Sequence, residues 1–250
     1  MSIDIILIRS LANSIESFNM IETTHYEART RDAYKTGRRA EEYKRYHTKS
    51  WNWSRISTWR EQRVLRRELS RYVWTATDRL LDIPCGTGIL GKLLHSFPFQ
   101  IVASDISTEM MALATPEYPA GRQLECVCAD ITRTPFERNS FDCVVVLGFL
   151  HRVPIEIKRS ALCEIFSLTR RVAIITCSVD SPMQRIKKRV LSLIKKRHVP
   201  APCPLPLREI VKECQAAGFR VNRTFMVIPL FSSEAMFVLE KTEWCKENSQ

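Results

Sequence analysis

The sequence predicts an α/β fold: a doubly wound, mostly parallel seven-stranded sheet with a C-terminal antiparallel hairpin and an N-terminal helical cap. Three observations lead there. From residue 79 onward, short apolar runs alternate with stretches of helical periodicity. The first run, Arg79 to Ile83, ends in a glycine-rich turn, with Gly86, Gly88 and Gly91 in a G-x-G-x-x-G pattern and Ile89, Leu90, Leu93 and Leu94 at helical spacing behind it. The segment SFDCVVVLGF, from Ser140, is a nearly continuous apolar run of the kind a central parallel strand needs.

In chain order, residues 1–75 read as a helical cap, basic and rich in aromatic residues. Within it Ser57 is a plausible N-cap, with Glu61 near the first turn, for a helix running to about Tyr72. Its apolar residues are Trp59, Val64, Leu65 and Leu69. Strand 79–83 then leads through the glycine turn into a helix at about 88–96. FQIVAS forms a second strand ending at Asp105, followed by the short helix STEMMALA. LECVCAD is a third strand ending at Asp130, and the fourth is the apolar run from Ser140. Pro154 opens a helix over IEIKRSALCEIFSL, since proline is tolerated in a first turn. RRVAIITCSV is the fifth strand. A basic amphipathic helix and a proline-punctuated insertion follow over 184–206, then REIVKECQAAG, capped by Gly218. FRVNRTFMVIPL and EAMFVLEK pair antiparallel, and 241–250 is a polar tail. The 76–240 stretch is therefore expected to be one domain.

Charge is unevenly placed. The chain has 250 residues and a formal net charge of +11. Fourteen Lys/Arg against five Asp/Glu lie between Arg29 and Arg71, and seven basic residues without an acidic one between Arg185 and Arg197. Two segments outside the glycine-rich core thus carry all the excess, which points to a local attraction for something anionic. The nine cysteines include no C-x-x-C pair and no Cys/His ligand spacing, so no metal site is expected. Cys85, Cys126, Cys128, Cys143, Cys163 and Cys177 sit in or beside apolar runs and read as buried reduced thiols. No apolar run approaches the ~20 residues of a membrane span, and IDIILI near the start is too short for a signal-peptide core. A cytoplasmic location is expected.

Asp82-Ile-Pro84-Cys85-Gly86-Thr87-Gly88, with the acidic residues Asp105 and Asp130 at the ends of strands two and three, resembles the class I S-adenosylmethionine-dependent methyltransferases. SFDCVVVLGFLHRVP and the closing G-F-R-V…M-F-V-L-E-K are similar to further motifs of that Rossmann-like family, over about residues 76–240. The resemblance implies S-adenosyl-L-methionine as methyl donor. It places Asp105, with Ile106 beside it, at the ribose hydroxyls, Asp130 at the adenine amine and Ile131 on the ring. Gly86 and Gly88 would lie along the methionine portion, Asp82 near its ammonium, and Leu147 and Gly148 would offer main-chain carbonyls. Read singly, Asp105 fits equally as a cap for STEMM and Asp130 as an Asx-turn residue. The glycines and Asp105 also satisfy a nicotinamide-dehydrogenase fingerprint, but Asp82, Pro84 and Asp130 oppose that reading.

His151, directly after the fourth strand, is the candidate general base; a pocket-lining histidine that never titrates is the alternative. Tyr43, Tyr46, Trp51 and Trp53 are candidates for a lid, or for packing. Leu147–Pro154, LGFLHRVP, is closer to small-molecule, quinone, sugar or lipid methyltransferases than to nucleic-acid enzymes. With the basic segments, it points to a small or carrier-linked anionic acceptor: a phosphorylated metabolite, glycan or lipid-linked substrate. The 184–197 helix is a candidate for peripheral contact with an anionic membrane surface. RNA methylation through the basic cap stands as the alternative, unsupported by any RNA-binding module. A non-catalytic binding protein is opposed by the intact glycine and acidic positions.

Overall fold

The structure is a computed structural model; it describes residues 41–42, 44–45, 53–118, 124–180, 203–228 and 233–241. Seven strands form one sheet in the order β3-β2-β1-β4-β5-β7-β6. They are β1 (Arg79–Asp82), β2 (Gln100–Asp105), β3 (Leu124–Cys128), β4 (Phe141–Val146), β5 (Thr169–Ser178), β6 (Phe219–Met226) and β7 (Glu234–Lys241). The first five pair in parallel, and β7 inserts antiparallel between β5 and β6. The expected Rossmann-like doubly wound sheet with its terminal hairpin is what forms.

The strands are covered on both faces. Leu81, Val144, Val146, Ala173, Ile175, Phe237 and Leu239 point to one side, where α4 (Ile155–Leu168) and α5 (Leu207–Ala216) cover them. Their neighbours Leu80, Cys143, Val145, Val172, Ile174, Met236 and Val238 point to the other. That face meets α1 (Trp53–Leu69), α2 (Gly91–Leu94) and α3 (Thr108–Ala114). Period-two alternation within unbroken apolar runs is what double coverage produces. Every β4 residue is buried, which is why its sequence lacks polar alternation.

Several local expectations are corrected. The first described long helix starts at Trp53, so Ser57 is inside it and caps nothing. Leu65 and Leu69 are fully buried, but Trp59 is 55% exposed. At ~100° per residue, six residues put Trp59 well round the helix from Leu65. The helix after the glycine turn shrinks to four residues because Gly86 and Gly88 have φ of +55° and +75°; successive turns, not helix, carry the chain to Leu90. Cys126, Cys128 and Cys163 are exposed, while Cys85, Cys143, Cys177 and Cys214 are buried. Asp142 is structural, accepting from the backbone N–H of Arg79 at 2.9 Å and from Arg170 at 2.8 Å. The 184–197 helix and the aromatic residues Tyr43, Tyr46 and Trp51 lie outside the described residues.

Candidate active site

The strand ends that carry chemistry converge because all five parallel strands run the same way, leaving β1 and β4 side by side at the sheet's centre. Open α/β sheets bind ligands at this carboxyl edge. A cleft of about 220 Å³ opens there. Its floor is Asp82, Pro84, Cys85, Gly86 and Thr87 after β1, with Leu147, Gly148 and His151 after β4. Eight of the sequence-predicted residues are thereby brought together. A Cβ added at Gly86 or Gly148 would meet nothing within 4 Å, and both have positive φ, +55° and +75°. Open space in front of two glycines on one cleft is a cradle into which a ligand fits against bare backbone.

Gly88 and Gly91 do a different job. A Cβ at Gly88 would lie 2.7 Å from the Ala114 carbonyl oxygen, and one at Gly91 2.5 Å from that of Glu117. These glycines let the turn pack against the end of α3 and the 3-10 turn behind it. The close approach anticipated for a ligand at Gly88 is therefore made by the protein's own backbone.

Asp105 is tied to the glycine turn rather than lining the cleft. Its Oδ2 accepts from the Gly86 N–H and its Oδ1 from that of Ser107, both at 2.9 Å. Burial raises its pKa and these backbone donors oppose the rise. The Ile106 N–H is a third backbone donor to this carboxylate, so one of its about four lone-pair sites remains for a hydroxyl donor. Ser107, not Asp105, caps α3 through Met110 N–H. Asp130 makes the Asx turn: its Oδ1 accepts from Thr132 N–H at 2.9 Å and from its hydroxyl at 2.8 Å. Ile131 is buried within the main core, whereas Ile106 presents an exposed apolar side chain.

Asp82 is the deepest charged group of the cleft. It is 1% exposed, and its Oδ2 accepts from the Tyr118 hydroxyl at 2.7 Å. Burial pushes its pKa up to about 7; the Tyr118 hydrogen bond opposes this and nearby Asp105 adds to it. His151 is pulled the other way. Burial, reinforced by Arg152 and Lys158, brings its pKa down to about 3. Its Nε2 accepts from Arg152 Nε at 3.1 Å. Its Nδ1 lies 3.3 Å from Glu234 Oε1, within ion-pair distance but off the hydrogen-bond line, so that atom has no hydrogen-bond partner. His151 is a neutral wall residue whose one acceptor nitrogen is already used, which leaves the proton on Nδ1.

The cleft's opposite wall comes from α1: Ser57, Thr58, Glu61 and Gln62. Gln62 Nε2 reaches Ile89 O at 3.1 Å, fastening α1 over the glycine turn. With Tyr118, Arg152 and Glu234, these are functional candidates that sequence reasoning passed over. Ser57 and Glu61 were read as capping residues, and Glu234 stands at the start of the last strand, remote in sequence from every motif. Residues 203–205 return beside the cleft, with Cys203 N–H on His151 O at 2.8 Å. Among the described residues no group of three or more His, Cys, Asp or Glu is placed to hold a metal ion, and no helix is long and apolar enough to cross a membrane.

Comparison with known proteins agrees with this geometry. Residues 81–177 match the methyltransferase domain family. A demethylmenaquinone methyltransferase from Clavibacter sepedonicus is 29% identical over 127 residues, 50% of this chain and 51% of that protein. A malonyl-[acyl-carrier protein] O-methyltransferase from Legionella pneumophila is 34% identical over 86 residues, 34% of this chain and 30% of that protein. The chain thus spans about half or less of these relatives' length. The crystal structure of magnesium protoporphyrin IX methyltransferase from Synechocystis with bound S-adenosylhomocysteine superposes with a TM-score of 0.71 at 18% identity, covering 85% of this chain and 98% of that one; at such identity the likeness concerns the fold. Strand order, glycine turn and domain match agree: residues 81–177 carry a methyltransferase domain, and the chain is similar to the class I S-adenosylmethionine-dependent methyltransferases.

Proposed function

We propose that the protein transfers a methyl group from S-adenosylmethionine to a small or carrier-linked, anionic acceptor. The observation that carries this is the cradle itself: Gly86 and Gly148 face open space across one cleft, with the Asp82 carboxyl beneath. In this reading the donor's methionine portion lies along Gly86 and its ammonium is held by Asp82. A ribose hydroxyl meets the remaining lone pair of Asp105, Ile106 offers apolar surface to the adenine, and Asp130 takes the exocyclic amine. Bound there, the donor supplies an electrophilic methyl on a sulfonium. The protein's contribution is chiefly alignment and exclusion of water, which for well-oriented groups is worth on the order of 7 kcal/mol or more.

The acceptor enters from the α1 side. Arg152 lies in the cleft, and Arg63, Arg66 and Arg67 are exposed along α1. These cations support an anionic group or carrier at the cleft's rim, beyond a reacting group that enters its interior. Relatives named for a quinone precursor and for a carrier-protein-linked acid support a small-molecule acceptor rather than a nucleic acid. Calorimetric titration with S-adenosylmethionine tests the donor. Absence of binding by the wild type, or unimpaired binding by both Asp105→Ala and Gly86→Val, refutes the reading. Labelled-methyl transfer into fractionated extract, with and without added RNA, tests the acceptor; label confined to RNA would replace the small-molecule acceptor.

A further inference from the structure

One group of side chains in the cleft is left over once the donor's residues are assigned. Glu61 from α1 and Glu234 from the start of β7 reach the same space and hydrogen-bond each other. Two carboxyls bond in this way only when a proton lies between them, since two carboxylates offer only acceptors. The pair is braced rather than loose. Glu234 also hydrogen-bonds Thr176, whose hydroxyl in turn accepts the Gly148 N–H at 2.9 Å. The braced carboxyls and the glycine cradle are therefore linked through β5.

We propose that Glu61 and Glu234 are the proton-accepting pair of the acceptor pocket, and that the acceptor is methylated on a hydroxyl oxygen. This rests on the methyltransferase reading and deepens it. As the acceptor oxygen uses a lone pair to bond the transferred carbon, its O–H bond breaks and the proton passes to the ionised carboxylate of the pair. The O–H electron pair stays on oxygen, the carbon–sulfur pair leaves with sulfur, and the pair ends doubly protonated until solvent takes the proton back. Burial raises both carboxyls, and for Glu61 the Glu234 charge adds to the rise. A proton acceptor is most effective when its pKa lies near the working pH, and burial with like charge moves a carboxyl in that direction. The charged and titratable groups facing the pair are Arg152, which draws both carboxyls down, the neutral His151, and Asp82 across the cleft floor. His151 cannot take the role, because Arg152 occupies its Nε2 and its pKa lies far below neutrality.

Two readouts test this. Infrared spectra of the wild type, Glu61→Gln and Glu234→Gln report protonated carboxyl directly. Asp82, with a pKa of about 7, is itself partly protonated at neutral pH, so the spectra are recorded in an Asp82→Asn background. A protonated-carboxyl component is expected there at about neutral pH, where a free glutamate is ionised, and either substitution should remove it. Labelled-methyl transfer by the Glu61→Gln/Glu234→Gln double variant should fall by about 100-fold or more, the scale a positioned base supplies, with S-adenosylmethionine affinity by calorimetry kept. The proposal is overturned by an infrared spectrum without that component, by a double variant within about threefold of wild-type transfer, or by label that enters no hydroxyl-bearing molecule. A wild type that binds no S-adenosylmethionine refutes the methyltransferase reading itself, which separates the two failures.

Discussion

The Tyr118 hydroxyl donates to Asp82 Oδ2 at 2.7 Å, joining the turn after α3 to the last residue of β1 beneath the glycine cradle. Asp82 is 1% exposed, and this hydrogen bond offsets only part of what burial costs its charge. Its folded pKa of about 7 lies above the ~3.9 of an unfolded aspartate. The native chain therefore holds a proton that the unfolded chain has released. The stability this proton confers is complete below about pH 4 and is lost as pH rises through 7. The full span is on the order of 4 kcal/mol. Asp82→Asn, which keeps an acceptor for Tyr118, should remove that slope and melt higher than wild type at about pH 8. Thermal denaturation against pH checks it; parallel curves for the two proteins would contradict the assignment.

A group poised near neutrality couples binding to protons. A cationic ligand beside Asp82 favours its carboxylate, so S-adenosylmethionine should expel the proton on binding. Affinity should rise between about pH 6 and about pH 8 and level off above. Calorimetry in buffers of different ionisation enthalpy should register a fractional proton released at about pH 6.5, absent in Asp82→Asn. Tyr118→Phe removes a donor that favours the charged form. That variant should shift the affinity curve to higher pH and cost about 1–3 kcal/mol of stability.

The glycines of the turn separate folding from binding. At Gly91 a Cβ would meet the Glu117 carbonyl carbon at 2.8 Å as well as its oxygen, and backbone cannot swing aside. Gly91→Ala should destabilise by several kcal/mol, in the upper range for single substitutions. At Gly86 the added methyl meets only open space, so Gly86→Ala should cost about 1–2 kcal/mol for its left-handed conformation. The same methyl stands in the proposed donor's path, so binding of S-adenosylmethionine should fall at least about tenfold in a protein that remains folded. A Gly86→Ala protein that binds normally would remove Gly86 from the donor site.

What could be read in the sequence was what local rules determine. β4 was legible because burial on both faces leaves an unbroken apolar run, and α4 because Pro154 and the residue spacing mark its span. Asp82, Gly86 and Gly148 were legible because they lie at the end of a strand or in the turn just past one. Glu61 and Glu234 were not: 173 positions separate them, and each has an ordinary local explanation. Only the docking of α1 across the sheet's carboxyl edge makes them neighbours. His151 was legible as a position but not in its chemistry, because its pKa depends on burial and on Arg152 and Lys158 around it. Trp59 was misplaced because an aromatic residue within an apolar stripe looks like core until the helix phase is known.

That docking has its own anchor, which can be cut away from the cleft. Glu68 on α1 is fully buried and receives Arg223 of β6 at 2.8 Å, Arg67 at 2.9 Å and Arg71 at 3.3 Å. One buried carboxylate holding three guanidinium groups leaves charges uncompensated when it is removed. Glu68→Gln should therefore cost about 3 kcal/mol or more, lowering the melting temperature by roughly 6–12 °C for a chain of this size. Arg223→Met alone leaves Arg67 and Arg71 on the carboxylate and should cost less. The double variant should fall short of the sum, with coupling of about 0.5–3 kcal/mol. Glu61 lies seven residues, about two turns, before Glu68 on the same helix. Loosening the anchor should thus speed amide exchange along α1 and lessen the infrared signature of the Glu61–Glu234 proton, while leaving β1, β4 and the glycine turn protected. Exchange that rises uniformly over the sheet instead would mean that Glu68 stabilises the whole fold and not the placement of α1.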